Sequence, residues 1–311
     1  MTDRIAVLCI AGPTASGKSA VAVDVAERLD AEIVSADAMS VYRGMDIGTA
    51  KPTAAERARV PHHLIDVTHW REPMTAGRFE KLADDAVDAI VARGRRVLVV
   101  GGTGLYLKAL LDGMFAAPAA PEAIRRDLRD RAEREGIESL HAALGNVDPE
   151  AAERLSPRDR PRILRALEVF HATGRPIGEW RRAHGFRKDR YAARIIVLDR
   201  PREELYRRID ARVDAMMAAG LLDEVARLVA EGLTADFPAG KALGYKQLIA
   251  HLCGDRDLET AVEAAKRESR RYAKRQLTWF RALPDAQWIA AGPKAMNEIL
   301  EAARRLDEAR E

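Results

Sequence analysis

IAVLCIA (residues 5–11) runs directly into GPTASGKS (residues 12–19), and these two segments decide the fold. The apolar run is typical of a strand buried in a parallel sheet. The octapeptide fits the pattern GxxxxGK[ST], and Val21, Val25 and Leu29 then recur at helical spacing, which predicts a helix over 16–30. A strand, a glycine loop and a helix in this order predict a phosphate-binding loop.

The residue types of the loop explain why it binds an anion. Backbone N–H groups of the loop and of the helix start converge on one point, where a phosphate group binds. Lys18 supplies positive charge, and the Ser19 hydroxyl is a ligand for Mg²⁺. The predicted phosphate site comprises Gly12, Pro13, Thr14, Ala15, Ser16, Gly17, Lys18 and Ser19. The pattern leaves open whether the ligand is a nucleotide such as ATP or an organic diphosphate.

The rest of the chain alternates short apolar runs with helical segments. Strands are predicted at Ile5–Ala11, Ile33–Ser35, Leu64–Val67, Val97–Val100, Ile195–Leu198 and Gln287–Ala290, and helices notably at Ala76–Ala92 and Glu203–Met217. This alternation predicts an α/β fold, with a P-loop NTPase-like parallel sheet flanked by helices. Residues 118–191 contain only helical patterns, at Glu122–Glu135, Ile137–Leu144, Pro149–Leu155 and Arg160–His171. We therefore expect a catalytic core of residues 1–117 and 192–311, interrupted by a helical insertion domain of residues 118–191.

Composition limits the class of protein. Of the 311 residues, 47% are hydrophobic and 32% are charged, which is enough apolar material for a large core. No apolar run approaches the roughly 20 residues of a membrane span. Cys9 and Cys253 lie far apart without metal-ligand spacing, so we expect neither a disulfide framework nor a zinc site. These features predict a cytoplasmic protein with no membrane contact.

Positive charge is concentrated in two segments of a chain whose net charge is only +3. Residues 158–190, the first basic segment, hold ten Lys/Arg against four acids, and residues 267–281, the second, hold six against Glu268 alone. A solvated helix face is the simplest interpretation of either segment. Two such concentrations in a nearly neutral protein favour a polyanionic partner.

Three further positions follow predicted strands, where ligands of parallel sheets bind. Asp37 is as well explained by helix capping as by chemistry, on pattern alone. Thr103 lies in the glycine cluster of residues 101–106, a weak signal by itself because strand-to-helix turns often need glycine. Asp199 resembles the Mg²⁺-binding acid of nucleotide hydrolases, which would favour a small-metabolite kinase, although any strand before a polar turn looks alike.

Eight motifs in sequence make the chain similar to a known family. They are GPTASGKS (12–19), SADAMSVYRGMDIGTAKP (35–52), PHHLID (61–66), GGTGLYLKALLDG (101–113), RALEVFHATGRP (165–176), LYRRIDARVDAMMAAGLLDEV (205–225), KALGYKQL (241–248) and RRYAKRQLTWFR (270–281). Along nearly its whole length the chain resembles bacterial tRNA dimethylallyltransferases, also called tRNA isopentenyltransferases or IPP transferases. A non-catalytic RNA-binding protein would not need Lys18, Ser19, Asp37, Thr103 and Arg212 together.

The resemblance implies a reaction and a set of residue roles. Dimethylallyl would pass from dimethylallyl diphosphate to N6 of the adenosine 3′-adjacent to the anticodon, at tRNA position 37, and diphosphate would be released. The adenosine would be flipped out of its stack into a channel. Asp37 would be the general base, and Thr103 and Arg212 would complete the catalytic set, with Mg²⁺ at Ser19. We expect a monomer that binds the tRNA anticodon stem-loop.

The resemblance also implies which residues contact tRNA. They are Asp37, Ala38, Met39, Ser40, Thr103, Pro161, Arg162, Ile163, Leu164, Arg165, Lys241, Ala242, Leu243, Gly244, Tyr245, Lys246, Lys274, Arg275, Gln276, Leu277, Thr278, Trp279, Phe280 and Arg281. Pro161 stands where the family usually has glutamine, a departure that concerns the RNA contact of the glutamine side chain. Proline is tolerated in the first turn of a helix, and Asp159 is a candidate cap for that turn. Trp279 considered alone is better explained by core packing.

Overall fold

Six parallel strands form the sheet in the computed structural model, which describes residues 4–115, 117–184 and 190–308. The strands are β1 (Ala6–Ala11), β2 (Ala31–Ser35), β3 (His62–His63), β4 (Arg96–Gly101), β5 (Ala192–Asp199) and β6 (Ala286–Ala290). Their order across the sheet is β3-β2-β4-β1-β5-β6, and every neighbouring pair is parallel. The predicted α/β fold is confirmed.

The strand order determines where the site forms. β1 pairs with β4 on one side and with β5 on the other, and β4 also pairs with β2. Because these strands are parallel, the segments that follow them emerge at the same edge of the sheet. The phosphate loop follows β1, Asp37 follows β2, and Gly102-Thr103 follows β4.

Two helices flank the sheet around an apolar core. Buried residues of β1, β2, β4, β5, α1 (Lys18–Leu29) and α14 (Ala295–Glu308) form one continuous cluster. Full burial of one such valine or isoleucine contributes about 1.5–3 kcal/mol. The remaining helices of this part of the chain are α2 (Ala54–Arg59), α3 (Ala76–Ala92), α4 (Gly104–Asp112), α10 (Arg202–Ala218), α11 (Leu221–Ala230), α12 (Tyr245–Leu252) and α13 (Leu258–Arg281), with a 3₁₀ turn at Ala239–Lys241.

The chain divides into two compact units. One comprises Met1–Leu111 with Asp189–Glu311, and the other is Asp112–Lys188. The second unit begins six residues before the predicted start of the insertion, at 118, and ends three residues before its predicted end, at 191. Among the described residues of the second unit, the regular elements are all helices: α5 (Glu122–Glu135), α6 (Ile137–Val147), α7 (Pro149–Arg154), α8 (Arg160–Thr173) and α9 (Ile177–His184). Its own apolar cluster includes Leu128, Leu140 and Ile163. Arg187, Lys188 and Asp189 of the first basic segment lie outside the described residues.

Several predicted element boundaries differ from the structure, and backbone conformation explains two of the differences. The strand expected at Leu64–Val67 lies at His62–His63 instead, because Leu64 and Asp66 have φ angles of 63° and 58°. A chain that turns left-handed twice within three residues cannot stay extended. The helix expected from Ser16 begins at Lys18, since Gly17 has a φ of 95° and precedes the first helical residue.

Pro161 is accommodated as expected. It lies in the first turn of α8, where a missing N–H breaks no helical hydrogen bond. The Asp159 side chain caps the same turn by accepting from the Arg162 N–H at 3.4 Å. The predicted bounds of α3 and α5 agree with the structure to the residue.

Candidate active site

The phosphate loop is held from outside by arginines of α10 and of the turn before it. Arg208 Nε donates to the Ala15 carbonyl at 2.9 Å, and Arg200 Nε donates to the Ser16 carbonyl at 2.8 Å. Because these carbonyls point outward to the arginines, the N–H groups at the start of α1 stay directed toward a ligand. Lys18 Nζ donates to the Pro13 carbonyl at 3.2 Å and so folds over the loop.

Gln276 of α13 joins the phosphate loop to the glycine turn after β4. Its Oε1 accepts from the Thr14 N–H at 2.9 Å, and its Nε2 donates to the Gly102 carbonyl at 2.8 Å. The turn has no room for a side chain, since a Cβ on Gly102 would lie 2.3 Å from Gln276 Nε2. Gln276 therefore fixes the spacing between the two loops.

Asp37 uses only one carboxylate oxygen to stabilise its own turn. Oδ1 accepts from the N–H groups of Met39 at 2.8 Å and Ser40 at 3.1 Å, so the side chain stabilises a turn. The helix-capping interpretation is wrong, because the first helix after β2 is α2, which begins at Ala54 and is capped by Thr53. Oδ2 accepts no hydrogen bond from any residue that the structure describes. Thr103 completes the turn, because its Oγ1 accepts from the Ala38 N–H at 3.0 Å. The carboxylate is thus held rigidly with one oxygen available for chemistry.

Asp37 lies where two cavities meet. A smaller cavity of about 110 Å³ includes Lys18 and Ser19 in its wall, and a larger one of about 340 Å³ includes Thr103. Both are lined by Thr14, Asp37, Thr49, Arg212 and Tyr272. A group bound at the phosphate loop and a group in the larger cavity would therefore approach each other at Asp37.

The charged groups around Asp37 are partly desolvated. The pKa of Lys18 is lowered to about 8, first because the ammonium is buried and second because the Arg212 guanidinium is near, while the Asp37 carboxylate opposes the shift. Burial also lowers the pKa of Arg212, against the opposing charge of Asp37. Desolvation raises the pKa of Tyr272, and the charge of Asp37 raises it further. Two cations and one carboxylate thus share a region shielded from water.

Known proteins are similar to this chain in sequence and in fold. The sequence model described as IPP transferase matches residues 40–283. The chain belongs to the IPP transferase family. It is 52% identical, over 91% of its length and 93% of the relative, to tRNA dimethylallyltransferase 1 of Trichlorobacter lovleyi.

Solved structures of the family have the same fold. The tRNA isopentenylpyrophosphate transferase of Bacillus halodurans matches with a TM-score of 0.72 at 40% identity, over 97% of each chain. A eukaryotic dimethylallyltransferase acting on tRNA matches with a TM-score of 0.82 at 27% identity, over 97% of this chain and 78% of its own. The kinase alternative is not favoured, and Asp199 lines neither of the two cavities at Asp37.

Burial separates the residues predicted to contact tRNA into a buried, an exposed and a half-buried group, and the half-buried members are Asp37, Ala38, Met39, Thr103, Leu164, Arg165, Leu243 and Trp279. The side chains of Ser40, Ile163, Ala242, Tyr245, Gln276, Leu277 and Phe280 are buried, as is Gly244, although Ser40, Gln276, Ala242 and Gly244 still line the cavities. Trp279 packs against Gly104, where a Cβ would lie 2.2 Å from its ring, in agreement with the core-packing interpretation. Exposed members are Pro161, Arg162, Lys241, Lys246, Lys274, Arg275, Thr278 and Arg281.

The two basic segments differ in how much of their charge is neutralised. In the first, arginines form ion pairs with acids in the pairs Arg158–Glu138, Arg160–Glu133, Arg162–Asp159, Arg165–Glu168, Arg175–Glu179, Arg182–Glu150 and Arg190–Glu80. In the second, Arg270 pairs with Asp210 and Arg271 with Glu268, whereas Lys274, Arg275 and Arg281 form no ion pair with any described residue. The second segment is therefore the stronger candidate for an RNA surface.

Sequence reasoning missed several residues at the site. Tyr272 lines both cavities, and Arg208 supports the phosphate loop. Gln276 was expected at the RNA surface rather than between two loops. Tyr272 and Gln276 lie in the RRYAKRQLTWFR motif and Arg208 in the LYRRIDARVD motif, which was the available signal. Their contacts depend on how α10 and α13 pack, which no local pattern encodes.

The residues present fit a Mg²⁺ ion that is coordinated mainly by phosphate oxygens of a bound substrate and by water. The Ser19 hydroxyl is exposed at the first turn of α1 and lines the smaller cavity. No cluster of three or more His, Cys, Asp or Glu suited to a metal occurs among the described residues. Mg²⁺ commonly binds to one or two protein oxygens together with phosphate oxygens and water.

In the part of the chain that the structure describes, no helix is long and apolar enough to cross a membrane.

Proposed function

We propose that this chain transfers the dimethylallyl group of dimethylallyl diphosphate to N6 of the adenosine 3′-adjacent to the anticodon, at tRNA position 37. The observation that carries the proposal is the position of Asp37 between the phosphate-loop cavity and the larger cavity. Membership of the IPP transferase family and the names of its relatives support it. We expect the enzyme to act in the cytoplasm, where its two free cysteines stay reduced.

The proposed chemistry is one displacement. N6 of the adenosine attacks C1 of the dimethylallyl group, the bond from C1 to the bridging phosphate oxygen breaks, and diphosphate leaves. Asp37 Oδ2 accepts the proton that N6 loses. A conjugated exocyclic amine is a weak nucleophile, so a positioned base is needed, and such a base contributes about 10²–10⁴-fold.

The leaving diphosphate needs positive charge close to its oxygens. The N–H groups at the start of α1, Lys18 and Arg212 supply that charge in a partly desolvated site, where it acts more strongly than in water. When bound at Ser19, Mg²⁺ would neutralise further phosphate charge. Thr103 keeps the Asp37 turn in place through the Ala38 N–H.

RNA would bind through the exposed cations of α13 and of the segment Lys241–Lys246. Lys274, Arg275 and Arg281 are exposed, and Lys241 and Arg275 also line the larger cavity. Their charge suits a phosphate backbone near the mouth of the cavity that would admit the flipped adenosine. Arg162 and Arg165 of the insertion would add contacts as a second surface.

The test is an assay of dimethylallyl transfer to tRNA by the purified chain. We expect the chain to be a monomer, and the assay applies to any oligomeric state. Labelled dimethylallyl diphosphate, Mg²⁺ and unmodified tRNA are incubated without ATP, and the tRNA is digested to nucleosides. We expect label in N6-isopentenyladenosine and in no other nucleoside. Transfer that requires ATP hydrolysis, or phosphorylation of a small metabolite without transfer, would refute the proposal.

A further inference from the structure

Glu224, at the start of α11, holds a loop of the larger cavity by its backbone. The carboxylate accepts from the N–H groups of Asp46 at 2.9 Å, Ile47 at 2.8 Å and Gly48 at 3.3 Å. It is only 9% exposed. Hydrogen bonds between a carboxylate and backbone N–H groups are about twice as strong as neutral ones. The loop of residues 46–48 is therefore fixed by one side chain that is distant in sequence.

Tyr245 closes the same network from a second helix. Its hydroxyl donates to Glu224 Oε1 at 2.5 Å, and its ring packs on Gly48, where a Cβ would lie 2.4 Å from Cε2. The side chain is fully buried. Burial raises the pKa of the phenol far above its ordinary value, and the charge of Glu224 raises it further, so Tyr245 remains a hydrogen-bond donor.

The segments joined by this network both line the larger cavity. Gly48 and Thr49 line it, and so do Lys241–Gly244, directly before Tyr245. The same cavity is lined by Asp37, so the relative position of the two segments sets the space in which a base can reach the carboxylate. A shift of about 1 Å in such a position costs up to about 100-fold in rate.

We propose that Glu224 and Tyr245 are positioning residues that fix the width of the cavity for the target adenosine. The inference rests on the proposed function, and neither residue touches the reacting atoms. In Glu224→Gln an NH₂ group replaces one acceptor and faces backbone N–H groups, so the loop must move. Tyr245→Phe removes one donor and keeps the ring on Gly48, so its effect is smaller.

The experiment is a single-turnover measurement with saturating dimethylallyl diphosphate and with enzyme in saturating excess over tRNA. We expect the rate constant to fall about 10–100-fold in Glu224→Gln and less in Tyr245→Phe. Affinity for tRNA should stay within about twofold, since exposed cations supply most of it. Because the folded enzyme stays in saturating excess over tRNA, partial unfolding alone would leave the rate constant unchanged.

Glu32→Gln is the matched control. Glu32 is a buried carboxylate of β2 that pairs with Arg93 and His63 and lines neither cavity. We expect a lower melting temperature and an unchanged rate constant. If Glu224→Gln does not fold, Tyr245→Phe carries the test. The inference is overturned if every variant that folds keeps the wild-type rate constant, whereas an inactive wild-type enzyme would contradict the proposed function instead.

Discussion

The phosphate loop and the second basic segment both present cations, but the two sets of cations differ in their exposure to water. Lys18 and Arg212 lie half-buried around Asp37, and their pKa values are lowered by desolvation. Lys274 and Arg275 are exposed on α13 and unpaired with any described residue. Desolvated charge acts strongly on charge that develops beside it, whereas solvated charge is screened by salt. The first pair should therefore govern rate, and the second should govern salt-dependent RNA binding.

Asp37 gives the largest expected effect, because it lies where the two cavities meet. Asp37→Asn keeps an oxygen that can accept from Met39 and Ser40 but removes the proposed base. The single-turnover rate should fall about 10²–10⁴-fold with tRNA binding largely intact. Asp37→Ala removes the hydrogen bonds of the turn as well and serves as the comparison. Near-wild-type activity in Asp37→Asn would mean that the residue only stabilises its turn.

Replacement of Arg212 should give the second largest effect, because we propose that its charge stabilises the leaving diphosphate. Arg212→Gln removes its charge from both cavities, and loss of one such donor costs about 10²–10³-fold in rate. The salt dependence of tRNA binding should not change. Arg207, an exposed arginine of the same helix that lines neither cavity, provides the control as Arg207→Gln. Equal rates in the two variants would show that Arg212 is an ordinary surface charge.

The lowered pKa of Lys18 predicts a pH dependence of substrate binding. Below pH 8 the free enzyme carries a charged Lys18, and above it the charge is lost, since its pKa is about 8. Affinity for dimethylallyl diphosphate should therefore fall as pH rises, by about tenfold at one unit above the pKa. Calorimetric titration at pH values from 6.5 to 9.5 measures this affinity. Lys18→Met should bind dimethylallyl diphosphate weakly at every pH in this range. If its affinity still falls as pH rises, a group other than Lys18 causes the pH dependence.

The sequence predicted the sheet and the loops of the site because both are local. An apolar run before GPTASGKS dictates a buried strand and a helix start, and Asp37 and Thr103 follow strands in the same way. It did not predict the left-handed residues Leu64 and Asp66, which displaced β3. Asp66 is bound there by Lys51 and Arg57, a tertiary network without a local signature.

Tertiary packing also decided which motif residues can reach a ligand. The motif RRYAKRQLTWFR is a single helix, so its residues face in all directions. Gln276 turns inward to the phosphate loop and Tyr272 to Asp37, while Lys274 and Arg275 face solvent. The resemblance to the family implied that Lys274–Arg281 contact tRNA. In the structure, Gln276 joins two loops, Tyr272 lines the cavities, and Lys274 and Arg275 form an exposed basic surface.

Salt titration of tRNA binding tests the division between the two sets of cations most directly, although its effects are the smallest. Affinities are measured between 50 and about 200 mM salt, a range in which phosphate contacts respond strongly. Lys274→Ala and Arg275→Ala should each flatten the log–log slope by about 0.7–0.9 per lost contact. Lys18→Met should leave the slope unchanged while single-turnover transfer falls. An unchanged slope in both α13 variants, or a slope lost in Lys18→Met, would contradict the account.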